Sequence, residues 1–258
     1  MASGYATTRK TAWLDGIRIR HGADGLKREF HSIAGGDRDK AAGMLNESAV
    51  RYPSLFVLQP EIVKHDLFDR LNPRNRFALD LTGGVLAGSL SNTYTPKPED
   101  HEHIHWMFDT GYANDGLNDQ YDEVMDKTAL LLSRVYGDRL CLKPMEELMF
   151  RRNRKGAYIY DLVWAYFESS RPEDLIRLSQ RLRSHDPKDV ELARKLLNFV
   201  PCIEANIERS PEKLWRCTAE WLRRNRRRLV YTGESMQMKG NPRRYALAGA
   251  GEEARGDD

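Results

Sequence analysis

The chain has 258 residues, 40% of them apolar and 31% charged, with a formal net charge of +3. That is enough for one large domain or two small ones with much helix surface in water. The three cysteines, Cys141, Cys202 and Cys217, form no C-x-x-C pair, which argues against a disulfide framework or a cysteine zinc site. No run approaches the roughly 18 apolar residues of a membrane span, and Met1 to Arg20 lacks a signal-peptide core, so a cytoplasmic protein with no membrane partner is expected.

Residues 1–36 are rich in Gly, Thr, Arg and Lys and show little periodicity, which predicts a flexible N-terminal segment. After Gly35-Gly36-Asp37 a helical pattern covers 38–51, and Tyr52-Pro53 is expected to end it, because the residue before proline is pushed out of helical geometry. Leu55 to Leu58 form a continuous apolar run. With no second strand candidate, they are expected to be a loop or short helix before a helix over 60–71. Asn72-Pro73 marks the next start, for a helix carrying Phe77, Leu79, Leu81, Val85 and Leu86. Gly83-Gly84 inside it cost about 1 kcal/mol each relative to alanine. Thr95-Pro96-Lys97-Pro98 is a candidate linker between an N-terminal helical part, 37–95, and a main helical body, 99–245. That body opens with helices over 99–112, 119–136 (stopped by Gly137) and 139–152.

The most regular stretch is Ala157 to Arg228. Pro172, Pro187 and Pro211 each precede apolar residues at offsets of three, six and ten, which lie on one helix face. Ser170 with Glu173 reads as a capping box, and Asp186 and Ser210 as N-caps. An aromatic-rich helix over 157–168 is expected to lead into helices over 172–184, 187–200 and 211–230. Short connections predict antiparallel neighbours. The fold class is therefore all-α, with stacked antiparallel helical hairpins as an irregular bundle or a short HEAT-like array. Met236, Met238 and Tyr245 are expected to pack back, and 246–258 to form a disordered tail.

Two signals bear on function. His101, Glu102 and His105 satisfy H-E-x-x-H, in which two histidines bind zinc and the glutamate acts as base. On a helix Asp109 lies one turn beyond. The motif sits at the start of an acidic helix without the apolar surroundings such sites use, so His101 and His105 are a candidate metal pair rather than a catalytic centre. The Asp115-Gly116 turn fails as a calcium loop, because Gly111 and Ala113 would occupy ligand positions. No phosphate loop or nucleophile elbow occurs.

The second signal is charge. Nine carboxylates and no Lys or Arg lie from Glu99 to Asp126. Arg223, Arg224, Arg226, Arg227 and Arg228 crowd the end of the last helix. The sequence thus predicts a non-enzymatic helical scaffold or interaction protein whose first contact surface is the 223–228 segment. Its partners would be another protein or further copies of itself. The alternatives are a nucleic-acid-binding protein using the same arginines and a metal-dependent hydrolase using the 101–105 histidine cluster.

Overall fold

A computed structural model describes residues 12–89, 95–205, 210–234 and 239–248. The chain is all-α apart from one two-stranded ribbon, and it divides into two compact units, Met1–Thr128 and Ala129–Asp258. The Thr95–Pro98 linker lies inside the first unit rather than between the two. Charge follows the division. The first unit has 15 Lys and Arg against 19 Asp and Glu, a net −4; the second has 26 against 19, a net +7.

In the first unit, α1 (Trp13–Gly36), α2 (Arg38–Leu45), α3 (Tyr52–Lys64), α4 (Pro73–Leu86) and α5 (Asp100–Gly111) precede α6 (Asp119–Leu130), whose last residues carry into the second. Residues 13–36 are a helix, not the flexible segment expected. Their pattern is hidden because Gly22, at φ 70°, breaks the helix into two phases: Leu14 and Ile17 are buried before it, Leu26, Phe30 and Ala34 after it.

Helix α3 also departs from expectation. Tyr52-Pro53 starts a helix instead of ending one, because proline at the first helical positions gives up an amide that has no helical partner anyway. Pro60 then sits inside α3. The apolar run 55–58 is the buried middle of this helix, which packs against α1, α4 and α5. The expected helix 38–51 shortens to α2, and the expected 60–71 divides between the end of α3 and a 3-10 turn at 68–70.

The carboxylate of Asp15, fully buried, accepts the Arg51 amide at 3.0 Å and the Ser54 hydroxyl at 2.7 Å, so a residue of α1 caps the start of α3. Arg18 donates to Ser54 Oγ at 3.0 Å and to Asn114 Oδ1 at 2.7 Å, and its guanidinium lies 3.6 Å from Asp15. Tyr52 and Tyr121 stack beside this network, with ring centres 5.7 Å apart.

In the second unit a π-helical turn (131–135) leads to Gly137 in left-handed geometry. It is followed by α7 (Leu142–Lys155), α8 (Tyr160–Ser169), α9 (Pro172–Leu178) with a 3-10 turn over 179–183, α10 (Pro187–Leu196), α11 (Pro201–Glu204) and α12 (Pro211–Asn225). All three proline starts occur where expected. Asp186 accepts the Lys188 amide and Ser210 the Lys213 amide. At the first start the reciprocal cap is different: Asp174 accepts the Arg171 amide at 3.0 Å, while Ser170 turns back to donate to the Tyr166 carbonyl. Strands β1 (Leu229–Tyr231) and β2 (Tyr245–Leu247) pair antiparallel, Tyr231 opposite Tyr245. The tail expected to begin at 246 is therefore ordered through β2; 249–258, like Met236 and Met238, lie outside the described residues. Tyr245 does pack back, donating to the carbonyls of Phe167 and Ser170 at 2.9 and 3.0 Å.

Three buried carboxylates tie α7, α9, the 179–183 turn and α10 together. Glu146 accepts Arg177 and Arg181, each at 3.1 Å. Asp174 accepts Arg177 at 2.9 Å and also Arg139. Asp189 accepts Arg154 at 3.1 Å and the Ser184 hydroxyl at 3.1 Å. The arginine rows therefore face a partner within the unit, as buried carboxylates require.

Candidate functional site

The H-E-x-x-H residues lie on one face of α5. Helical spacing brings His101, Glu102, His105, Trp106, Asp109 and Thr110 to the wall of an open cleft of about 720 Å³, whose other wall is the Ser48–Arg51 loop. The loop is held in place by Arg74. Its guanidinium lies 4.1 Å above the Trp106 ring and donates to the Ser48 carbonyl at 3.2 Å. Burial lowers the Arg74 pKa from its ordinary value. Thr110 joins the walls too, its hydroxyl accepting the Tyr52 amide at 3.1 Å and donating to the Trp106 carbonyl at 2.8 Å.

The histidines of this cleft form a pair, not a three-ligand site. The rings of His101 and His105 meet edge to face with centres 6.2 Å apart. His103 is turned from them by the helix and packs on Phe77 at 5.3 Å. Among the described residues no third His, Cys, Asp or Glu donor joins His101 and His105 in a convergent group.

The five arginines expected as a contact surface lie at the end of α12 and just beyond, and all are exposed. Arg224 pairs with Glu220, and Arg228 reaches the Ala248 carbonyl at 3.5 Å. Arg223, Arg226 and Arg227 have no ion-pair partner among the described residues. The ribbon begins at Leu229, so the segment runs directly into strand β1. Compared with known proteins, the chain matches no family model, no curated protein and no solved structure. No helix of the described residues is long and apolar enough to cross a membrane.

A third group was missed in the sequence because its members are dispersed. His31 of α1, Glu61 of α3 and His65, which caps α3, bring one donor atom each to within 4.8 Å of one another. Glu61 and His65 are one helical turn apart, a spacing already contained in the helix expected over 60–71. His31 lies in the segment for which no structure was expected.

Proposed function

We propose that the chain is a non-enzymatic helical binding protein that engages the phosphate backbone of a nucleic acid through Arg223, Arg224, Arg226, Arg227 and Arg228. The observation that carries the reading is the exposure of five arginines within six residues, four of them without a carboxylate partner among the described residues, in a unit of net charge +7. The planar guanidinium forks match phosphate oxygens two at a time, a geometry lysine does not offer. The other arginines of the unit show the contrast: Arg154, Arg177 and Arg181 are committed to buried carboxylates and are not available to a partner.

The test is fluorescence anisotropy with labelled single- and double-stranded oligonucleotides across a salt series. Engagement of the arginine segment gives an affinity that falls steeply as salt rises, with roughly one unit of slope lost for each phosphate contact removed. An Arg223→Ala, Arg226→Ala, Arg227→Ala triple variant should bind at least tenfold more weakly. Equal affinity of this variant, or a polyglutamate peptide binding as tightly as the oligonucleotide, sinks the nucleic-acid reading; the second result moves it to an acidic protein partner.

A further inference from the structure

We propose that His31, Glu61 and His65 form a binding site for a zinc-class divalent transition-metal cation that clasps α1 to α3. The donors already stand where a cation would need them. His31 Nδ1 lies 2.7 Å from Glu61 Oε2 and 3.0 Å from His65 Nε2, and His65 Nε2 lies 3.6 Å from Glu61 Oε2. A triangle with those sides has a circumscribed radius of about 1.8 Å. A point ~2.1 Å from all three atoms, the zinc–nitrogen and zinc–oxygen distance, therefore exists just off its plane. The ligands need no rearrangement of the helices, only small side-chain adjustments.

Hydrogen bonding alone serves this arrangement poorly. One proton on His31 Nδ1 can point at Glu61 or be shared toward His65. It cannot make a linear bond to both. A cation at the common point satisfies all three lone pairs together. Two imidazoles and one carboxylate are a donor set that zinc accepts with three protein ligands and one open position. The opening is present: Glu61 and His65 are 16% and 14% exposed, but the His31 side chain is 46% exposed, leaving the triangle a side toward solvent.

The surroundings favour positive charge. His65 is the residue that ends α3, so the last carbonyls of that helix put partial negative charge beside the site. Arg38, which donates to the His65 carbonyl, has its own charge matched by Asp66 at 3.1 Å. The site is independent of the arginine segment and of the α5 cleft. The cleft's His101 and His105 lie along one helix, whereas this group joins residues 31 and 61–65 across two.

The experiment uses the full chain, treated with chelator and then titrated with zinc chloride by calorimetry, with cobalt(II) absorption as a second readout. One equivalent of zinc should bind. A hundredfold excess over Kd should raise the Tm by roughly 5–10 °C. His31→Ala and His65→Ala should each abolish this binding, Glu61→Gln should weaken it about tenfold or more, and a His101→Ala, His105→Ala double variant should leave it unchanged. Helical circular dichroism checks that each variant folds, and His31→Ala, at an exposed position, keeps the test decisive. Cobalt should give the intense visible bands of a four-coordinate ion. No zinc uptake by the wild-type chain overturns the proposal, as does uptake that survives His31→Ala and His65→Ala or is lost in the His101→Ala, His105→Ala variant.

Discussion

Asp15 in the first unit and three buried carboxylates in the second hold their arginines in opposite ways. In the first, Asp15 and Arg18 are enclosed together, and the Arg18 side chain is only 8% exposed. In the second, the buried carboxylates Glu146, Asp174 and Asp189 draw in arginines that keep one flank in water: Arg181, Arg177 and Arg154 are 26%, 34% and 40% exposed. What decides the importance of such a pair is whether the surviving partner can return to solvent when the other is removed. An enclosed cation cannot. A leaning one can, and the lost attraction is then offset by recovered hydration.

The largest expected effect follows from that difference. Asp15→Ala strands a charged Arg18 and removes the acceptor of the Arg51 amide and the Ser54 hydroxyl, so it should cost about 3–5 kcal/mol in urea unfolding. Glu146→Ala should cost less, about 2 kcal/mol, although it unties two arginines instead of one. Equal losses would break the comparison. So would a smaller loss for Asp15→Ala.

The alkaline limb sharpens it further. Burial raises the phenol pKa of Tyr52 and Tyr121 in the first unit and of Tyr166 and Tyr245 in the second. The folded protein keeps those protons while the unfolded chain releases them above pH 10, so stability falls as pH rises past 10. In the second unit Arg244 opposes this trend. Burial holds its pKa down at about 10, so above that pH the unfolded chain keeps a proton that the folded protein releases, and stability rises there. In the first unit Arg74, its pKa also lowered by burial, opposes the loss in the same direction. Tyr52→Phe, followed by unfolding at pH 11 against pH 8, should recover about 1.4 kcal/mol of the alkaline loss, the value of one pH unit on one phenol. A variant with the wild-type pH profile would refute the assignment to Tyr52.

The smallest expected effect concerns thiols. Cys141 is buried and its pKa is pushed up to about 12, first by burial and then by Asp138, whereas Cys217 is partly exposed. At pH 8 a disulfide reagent should label Cys217 within minutes and leave Cys141 unlabelled until the chain is unfolded. Early labelling of Cys141 would show the second unit to be open where the structure has it closed.

Legibility in the sequence tracked locality. The starts at Pro172, Pro187 and Pro211 were readable because cap, proline and apolar offsets all lie within one or two turns. The all-α class followed from them. Helix α1 was not readable, because Gly22 resets its phase, and α3 was misdivided because Pro53 and Pro60 look like breaks when taken alone. The same holds for the sites. His101 and His105 stand out in the sequence and share one helix face beside a cleft. Glu61 and His65 are a local pair within the helix expected over 60–71, but nothing local joins His31 to them, since it meets them only through the packing of α1 on α3. The arginine segment was visible by composition, but which arginines are held by buried carboxylates was not, since those partners are typically some 31–35 residues away.

The Tyr245 hydroxyl has a consequence for how the chain is made. Its acceptors, the carbonyls of Phe167 and Ser170 at the end of α8, precede it by 78 and 75 residues. At a synthesis rate of about 5–20 residues per second, those carbonyls wait roughly 4–15 s for their donor. During that interval the two carbonyls lack the Tyr245 hydroxyl, and Phe167 and Phe199 lack the Tyr245 ring that later packs on them. The aromatic seam of Phe167 and Phe199 is thus closed by a residue made some 75 residues after α8, and a nascent chain stalled before Tyr245 leaves that seam open.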